Sequence, residues 1–226
     1  MIPRSPARLP RFLPYPGGVL LHTGHPNPGL RTVLQRYAVH WARASVPIIV
    51  HLLANQSDET TMMVEKLEIC EGVIAIELGL PDEIGDQEAY ELTSSAQGEL
   101  AVLVRLPIHK ALELVVPVLE AGAAAISIAP PRGTLPDLNG EFISGRLYGP
   151  NLFPQALEVV QRLCQQGREV IGAGGIYTRT QAQAMLDAGA RAVQLDTVLW
   201  RSDFNAKDFN MSDKDTSVQS PGASRA

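Results

Sequence analysis

A buried strand that ends in paired glycines and runs into a helix is compatible with few folds. This chain carries one in Val170-Ile171-Gly172-Ala173-Gly174-Gly175-Ile176. A second apolar strand, Ala192-Val193-Gln194-Leu195-Asp196-Thr197, follows that helix. Without a Cβ, glycine lets backbone N–H groups come close to a phosphate, and the start of the next helix adds partial positive charge. In a (β/α)8 barrel the loops after the last two strands form a phosphate site of this kind. A glycine pair also serves simply to start a tight βα turn, so the rest of the chain has to decide.

The same βα rhythm runs through most of the sequence. Val46 to Leu53 is a continuous apolar run, the pattern of a strand buried on both faces. Val73 to Leu78, Leu100 to Leu106, Ala123 to Ala129, Glu169 to Gly172 and Val193 to Leu195 continue the series, with helical periodicity between them. His109 to Ala121 is expected to be helical despite Pro117. Thr178 is placed to cap a helix with Ala182, Met185 and Leu186 inward, closed by Gly189. Pro130 to Gly149 reads as a long loop. Alternation of this kind predicts an α/β fold, a TIM-barrel-like (β/α) barrel with about six strong parallel strands. A closed barrel takes eight strands, so this one is expected to be incomplete.

The domain boundaries follow from composition. Residues 1–18 form a proline-rich N-terminal arm, 19–201 the partial barrel, and 202–226, rich in Ser, Asp, Asn and Lys, a disordered polar tail. An open sheet exposes edge N–H and C=O groups. Residues 1–21 are therefore expected to cover that edge, or else a second copy or a partner chain completes the barrel.

With 226 residues, 45% of them hydrophobic, the chain can bury a full core. Its net charge of −5 argues against a nucleic-acid binder, which needs a basic face. Cys70 and Cys164, far apart in helix-like segments, read as small buried hydrophobes in a reducing, cytoplasmic setting. No apolar run reaches the ~18 residues of a membrane span, and the early prolines interrupt any signal-peptide core. The spacings of His22, His25, His51 and His109 match no zinc pattern, so no metal is expected.

Several segments resemble the dihydroorotate dehydrogenase family, in order along the chain from about residue 3 to 201. Pro16-Gly17-Gly18-Val19-Leu20-Leu21-His22-Thr23-Gly24-His25-Pro26-Asn27-Pro28-Gly29 is similar to its Pro-Gly-Gly-Met-Leu-Asn-x-x-Gly-Leu-x-Asn-Pro-Gly stretch. Val46-Pro47-Ile48-Ile49-Val50-His51 resembles its Val-Pro-Val-Ile-Val-Asn strand, and Gly145-Arg146-Leu147-Tyr148-Gly149-Pro150 its Gly-Gly-Leu-Ser-Gly-Pro. Val170 to Thr197 resembles its Val-Ile-Gly-x-Gly-Gly-Ile … Ala-Val-Gln-x-Gly-Thr. The resemblance implies a TIM barrel carrying FMN, with the phosphate against Gly149, Gly174, Gly175 and Thr197 and with Arg105 facing the ring. It also implies two further strands ahead of the Pro-Gly-Gly segment.

The departures concern the chemistry. The family's Asn residues become Leu21 and His51, its flavin-side lysine becomes Arg105, and the glycine of its Gly-Thr becomes Asp196. Its Glu-Leu-Asn-x-Ser-Cys-Pro-Asn becomes Glu77-Leu78-Gly79-Leu80-Pro81-Asp82, without the catalytic cysteine or serine. No catalytic residue is assigned on this basis, although Asp82 and Glu83 are acids on the matching loop. Two readings follow. One is an FMN-dependent oxidoreductase that oxidises dihydroorotate to orotate in pyrimidine biosynthesis, with weak or absent turnover by the chain alone. The other is a non-catalytic barrel relative acting as a binding or assembly module. Either way a small-molecule ligand is expected.

Overall fold

The structure, a computed structural model, describes residues 3–53 and 55–209. Ten strands and six α-helices follow one another. An opening hairpin, β1 (Phe12–Tyr15) and β2 (Gly18–Leu21), leads to α1 (Leu30–Ala42). The βα series then runs β3 (Ile48–Leu53), α2 (Ser57–Glu68), β4 (Val73–Gly79), α3 (Asp86–Ser95), β5 (Ala101–Pro107), α4 (Ala111–Glu120) and β6 (Ala125–Ala129). An excursion through β7 (Arg132–Pro136) and β8 (Phe142–Tyr148) precedes α5 (Phe153–Gln165), β9 (Ile171–Ala173), α6 (Arg179–Asp187) and β10 (Ala192–Gln194).

Strands β3-β4-β5-β6 form one parallel sheet in chain order. A parallel bridge from Ile126 to Val170 carries the sheet on to the parallel pair β9-β10. The six strands expected from the sequence are therefore present and adjacent. Among the described residues no ladder joins β10 to β3, so the curved sheet stays open between them.

Successive side chains on a strand point to opposite faces, and here the two faces differ in chemistry. One face presents Leu52, Ile76, Leu78, Val102, Val104, Leu106, Ile126 and Ile128, all buried in the main core. Met63 and Leu67 of α2, Leu92 of α3, Leu114 and Val118 of α4, and Val160 and Leu163 of α5 cover that face from outside. Helix α6 adds Ala182 and Met185, and its first turn is set by a reciprocal cap between Thr178 and Gln181. The opposite, concave face carries the polar groups His51, Glu77, Arg105, Ser127 and Gln194, with Gly79, Ile49, Leu53 and Leu103 between them. Strand β3 is thus buried on one face only: Ile49, on the concave side, is 48% exposed.

The segment read as a long loop is a second sheet. Strands β1-β2-β8-β7 pair antiparallel, with Leu20 opposite Leu147 and Gly133 opposite Gly145. A small core of Leu13, Leu20 and Ile143 holds it. Asp137 builds the β7–β8 turn by accepting from the N–H groups of Asn139 (2.8 Å) and Glu141 (2.9 Å). The expectation that residues 1–21 cover the open edge of the parallel sheet is corrected here, because β1 pairs with β2 and β2 with β8. The chain leaves the C-terminal end of β6 for β7 and returns from β8 to α5. The antiparallel sheet therefore stands at the C-terminal mouth of the parallel strands.

Cys70 and Cys164 are free and only partly buried. Of the stretch read as a tail, Ala206–Phe209 forms a 3-10 turn, with Phe209 packed on the main core. Residues 210–226 lie outside the described residues.

Gly145 is a point of close approach: a Cβ there would collide with the Leu21 carbonyl on β2. Gly145→Val is expected to detach the β1-β2 hairpin while leaving the parallel sheet folded. Limited proteolysis and hydrogen exchange should show residues 12–21 losing protection first.

Candidate functional site at the barrel mouth

The concave face is organised by Glu77, a carboxylate in the middle of β4 with only 6% of its surface exposed. Burying a charge is costly unless it is paired and hydrogen-bonded, and partners reach Glu77 from four other strands. His51 Nδ1 on β3 lies 2.8 Å from Oε2, and Ser127 Oγ on β6 donates to Oε1 at 2.7 Å. Gln194 Nε2 on β10 donates to Oε1 at 3.3 Å, and the Arg105 guanidinium on β5 stands 3.7 Å from Oε2. Burial alone raises the carboxyl pKa. The His51 hydrogen bond, the Arg105 and His51 charges and the Ser127 hydroxyl outweigh it and hold Glu77 down at about 2.

Two atoms of this cluster remain unsatisfied. Arg105 Nε and Gln194 Oε1 are buried with no hydrogen-bond partner. One is a donor and the other an acceptor, and such groups are rarely left unpaired.

A small cavity of about 40 Å³ lies at the mouth between His51, Gly79, Leu80, Arg105, Arg146 and Tyr148. His25, Arg146 and Tyr148 also wall a cleft of about 470 Å³ under the antiparallel sheet, together with Arg8, His22 and Arg132. That volume lies within the usual range for small-molecule sites, ~300–1,000 Å³. Its walls are basic. Arg146 and Arg132 both engage Asp82, at 3.1 and 3.3 Å. Asp82, an acid singled out on the loop after β4, is therefore held in ion pairs. His25 is pushed below its ordinary pKa by burial and by the charges of Arg146 and His51. Tyr148 is pushed up by burial.

The other predicted residues gather a short distance away. Gly174 and Gly175 follow β9 and share a crevice with Asp196, Tyr148 and Ala156. Gly149 starts the turn into α5 and packs on Gly17 of the hairpin. A Cβ on Gly175 would strike the backbone of Phe153, so the close approach of α5 already requires that glycine. The packing differs here from the simple phosphate-cradle picture. Thr197 follows β10. Its N–H donates to the Asp196 carboxylate, as does its hydroxyl at 3.0 Å, and that hydroxyl also meets Tyr177 OH at 2.8 Å.

These facts test the site against FMN. The ring end finds matching groups in the unsatisfied Arg105 and Gln194. At the phosphate end, the crevice beside Gly174 and Gly175 measures about 10 Å³ and is bordered by the Asp196 carboxylate, when a single water needs ~10–15 Å³. The polar groups of Arg105 and Gln194 suit a flavin ring, but in this conformation neither the cavity of about 40 Å³ beside Arg105 nor the crevice of about 10 Å³ beside Gly174 is open enough for the group.

Sequence reasoning singled out His51 as one of several histidines and as the residue at a family Asn position, gave it no role with Glu77, and missed Gln194 and Ser127 as site groups. The available signal was Glu77 itself, a lone charge inside the apolar run Val73-Ile74-Ala75-Ile76-Glu77-Leu78.

A parallel βα sheet with helices packed outside it defines the class, an α/β barrel of the TIM type. Ligand-free dihydroorotate dehydrogenase from Eimeria tenella has a similar fold, with a TM-score of 0.70 at 15% identity over 87% of this chain and 69% of that one. No protein-family model matches the chain. It is 30% identical over 216 residues to dihydroorotate dehydrogenase B (NAD(+)), catalytic subunit, of Geotalea uraniireducens, covering 86% of this chain and 71% of that protein. It is 28% identical over 218 residues to the subunit of the same name from Desulforudis audaxviator, covering 86% and 70%. The chain belongs to the dihydroorotate dehydrogenase family.

The depressed pKa of Glu77 predicts a pH signature in stability. A carboxyl lowered from 4.5 to about 2 on folding stabilises the native state fully above pH 4.5 and loses that contribution as the pH falls towards 2. The contribution is about 3 kcal/mol. In chemical denaturation, the stability gap between the wild type and Glu77→Gln is expected to narrow by that order across this interval.

Proposed function

We propose that the chain is a dihydroorotate dehydrogenase-like, FMN-dependent oxidoreductase of the cytoplasm, acting on a small carboxylate of the dihydroorotate type. Arg105 Nε and Gln194 Oε1, buried beside Glu77 on β5 and β10 without hydrogen-bond partners, are the observation that carries this reading. Family membership supports it. Bound FMN would supply the two-electron acceptor. Arg105 would hold the ring, and Gly149, Gly174, Gly175 and Thr197 would border the phosphate. The basic cleft walled by Arg8, Arg132 and Arg146 would admit and orient the substrate carboxylate.

Asp196 limits this function. For the phosphate to reach the Thr197 N–H, the Asp196 carboxylate has to leave it. The open edges of β3 and β10 also fit a second copy or partner chain that completes the barrel. Asp196 favours a second reading as well, a barrel that binds small anions without flavin chemistry. No described helix is long and apolar enough to cross a membrane.

FMN titration followed by visible absorbance separates the two readings. Removing a carboxylate a few ångströms from a phosphate relieves roughly 1 kcal/mol or more of repulsion, so Asp196→Gly is expected to tighten FMN binding by about tenfold. Wild type and Asp196→Gly that both emerge colourless from gel filtration after incubation with excess FMN would leave the anion-binding reading in its place.

A further inference from the structure

The loop after β4 carries no cysteine or serine, and its acid, Asp82, is tied to Arg132 and Arg146. A different group faces the mouth. His51 Nδ1 meets Glu77 Oε2 at 2.8 Å, and Glu77 is an ionised carboxylate, so Nδ1 is the protonated nitrogen and donates. In the neutral form of a ring so oriented, the lone pair is on Nε2. His51 lines the mouth cavity with Arg105 and Arg146. A Cβ on Gly79 would sit 2.9 Å from Nε2, so glycine at 79 leaves room for the ring in this position. The side chain is 39% exposed, which leaves it open to solvent and ligand.

We propose that His51 is the proton-transfer residue of this chain and that Glu77 positions it. The proposal rests on the reading of the mouth as a site for a carboxylate of the dihydroorotate type. The step is a proton transfer. The C–H bond next to the substrate carbonyl breaks, and its electron pair stays on the substrate as an enolate. The proton moves to His51 Nε2. The resulting imidazolium is stabilised by the Glu77 carboxylate, and Arg105 supplies positive charge towards the enolate. Return of a proton from His51 restores the substrate, so the step balances with no oxidant. A buried carboxylate that fixes the tautomer of a histidine and supports its cationic form is an established way to build a general base. It also gives Glu77 a purpose that stability alone does not, since an apolar residue would fill a buried strand position at lower desolvation cost.

The test uses the full chain and dihydroorotate in D2O, with no flavin added. The wild type is expected to catalyse exchange of deuterium into the carbon next to the carbonyl. His51→Asn should lower that rate by about 10²-fold or more, and Glu77→Gln by less. Nitrogen-15 NMR of the histidine rings supplies a measurement that needs no substrate. His51 should be the Nδ1–H tautomer in the wild type and a mixture in Glu77→Gln. Exchange unchanged in His51→Asn, or a wild-type His51 protonated on Nε2, would overturn the proposal. If calorimetry shows that dihydroorotate does not bind, the substrate reading fails on its own, and the tautomer result alone decides the His51–Glu77 pair.

Discussion

A carboxylate inside a β-sheet has to be matched by donors, and Glu77 is matched from four strands at once. His51, Arg105 and Ser127 converge from β3, β5 and β6, and Gln194 closes the set from β10. Because a one-residue slip of any strand would turn its contributor to the apolar face, satisfying Glu77 constrains the register of the whole parallel sheet. Strands β3 and β10 have no ladder between them among the described residues, yet both send a side chain to this one carboxylate. The charge cluster therefore ties the two open edges together across the concave face.

That arrangement explains why the concave face is available for chemistry. The apolar face carries the core and the helices, and the polar face carries almost none of the packing. The antiparallel sheet stands over the C-terminal mouth and walls the basic cleft, while in the cluster around Glu77 Arg105 Nε and Gln194 Oε1 are buried without hydrogen-bond partners. At the neighbouring turn the sequence pulls the other way. Asp196 satisfies the Thr197 N–H internally, where a glycine would leave it free.

Much of this was legible in the sequence, and the remainder was hidden for physical reasons. Continuous apolar runs and helical periodicity located the parallel strands, and Thr178 marked the start of α6, because these signals are local. Strands β1, β2, β7 and β8 were not visible as a sheet. They are short and rich in Pro and Gly, and their defining contact, Leu21 against Arg146, joins distant parts of the chain. The site was half legible. Arg105, Gly174, Gly175, Asp196 and Thr197 stood out by motif. The partnership of His51 with Glu77 depends on β3 lying beside β4 in register, which residue spacing alone does not give.

The claim that Glu77 is the ionised centre of the site is open to direct measurement by following its side-chain carboxyl in the carbon-13 NMR spectrum of the full chain across an acid titration. The account predicts that Glu77 stays ionised well below the ordinary carboxylate range, with a midpoint near about 2. A midpoint near the ordinary 4.5 would mean that His51 and Arg105 do not engage it, and would contradict the account.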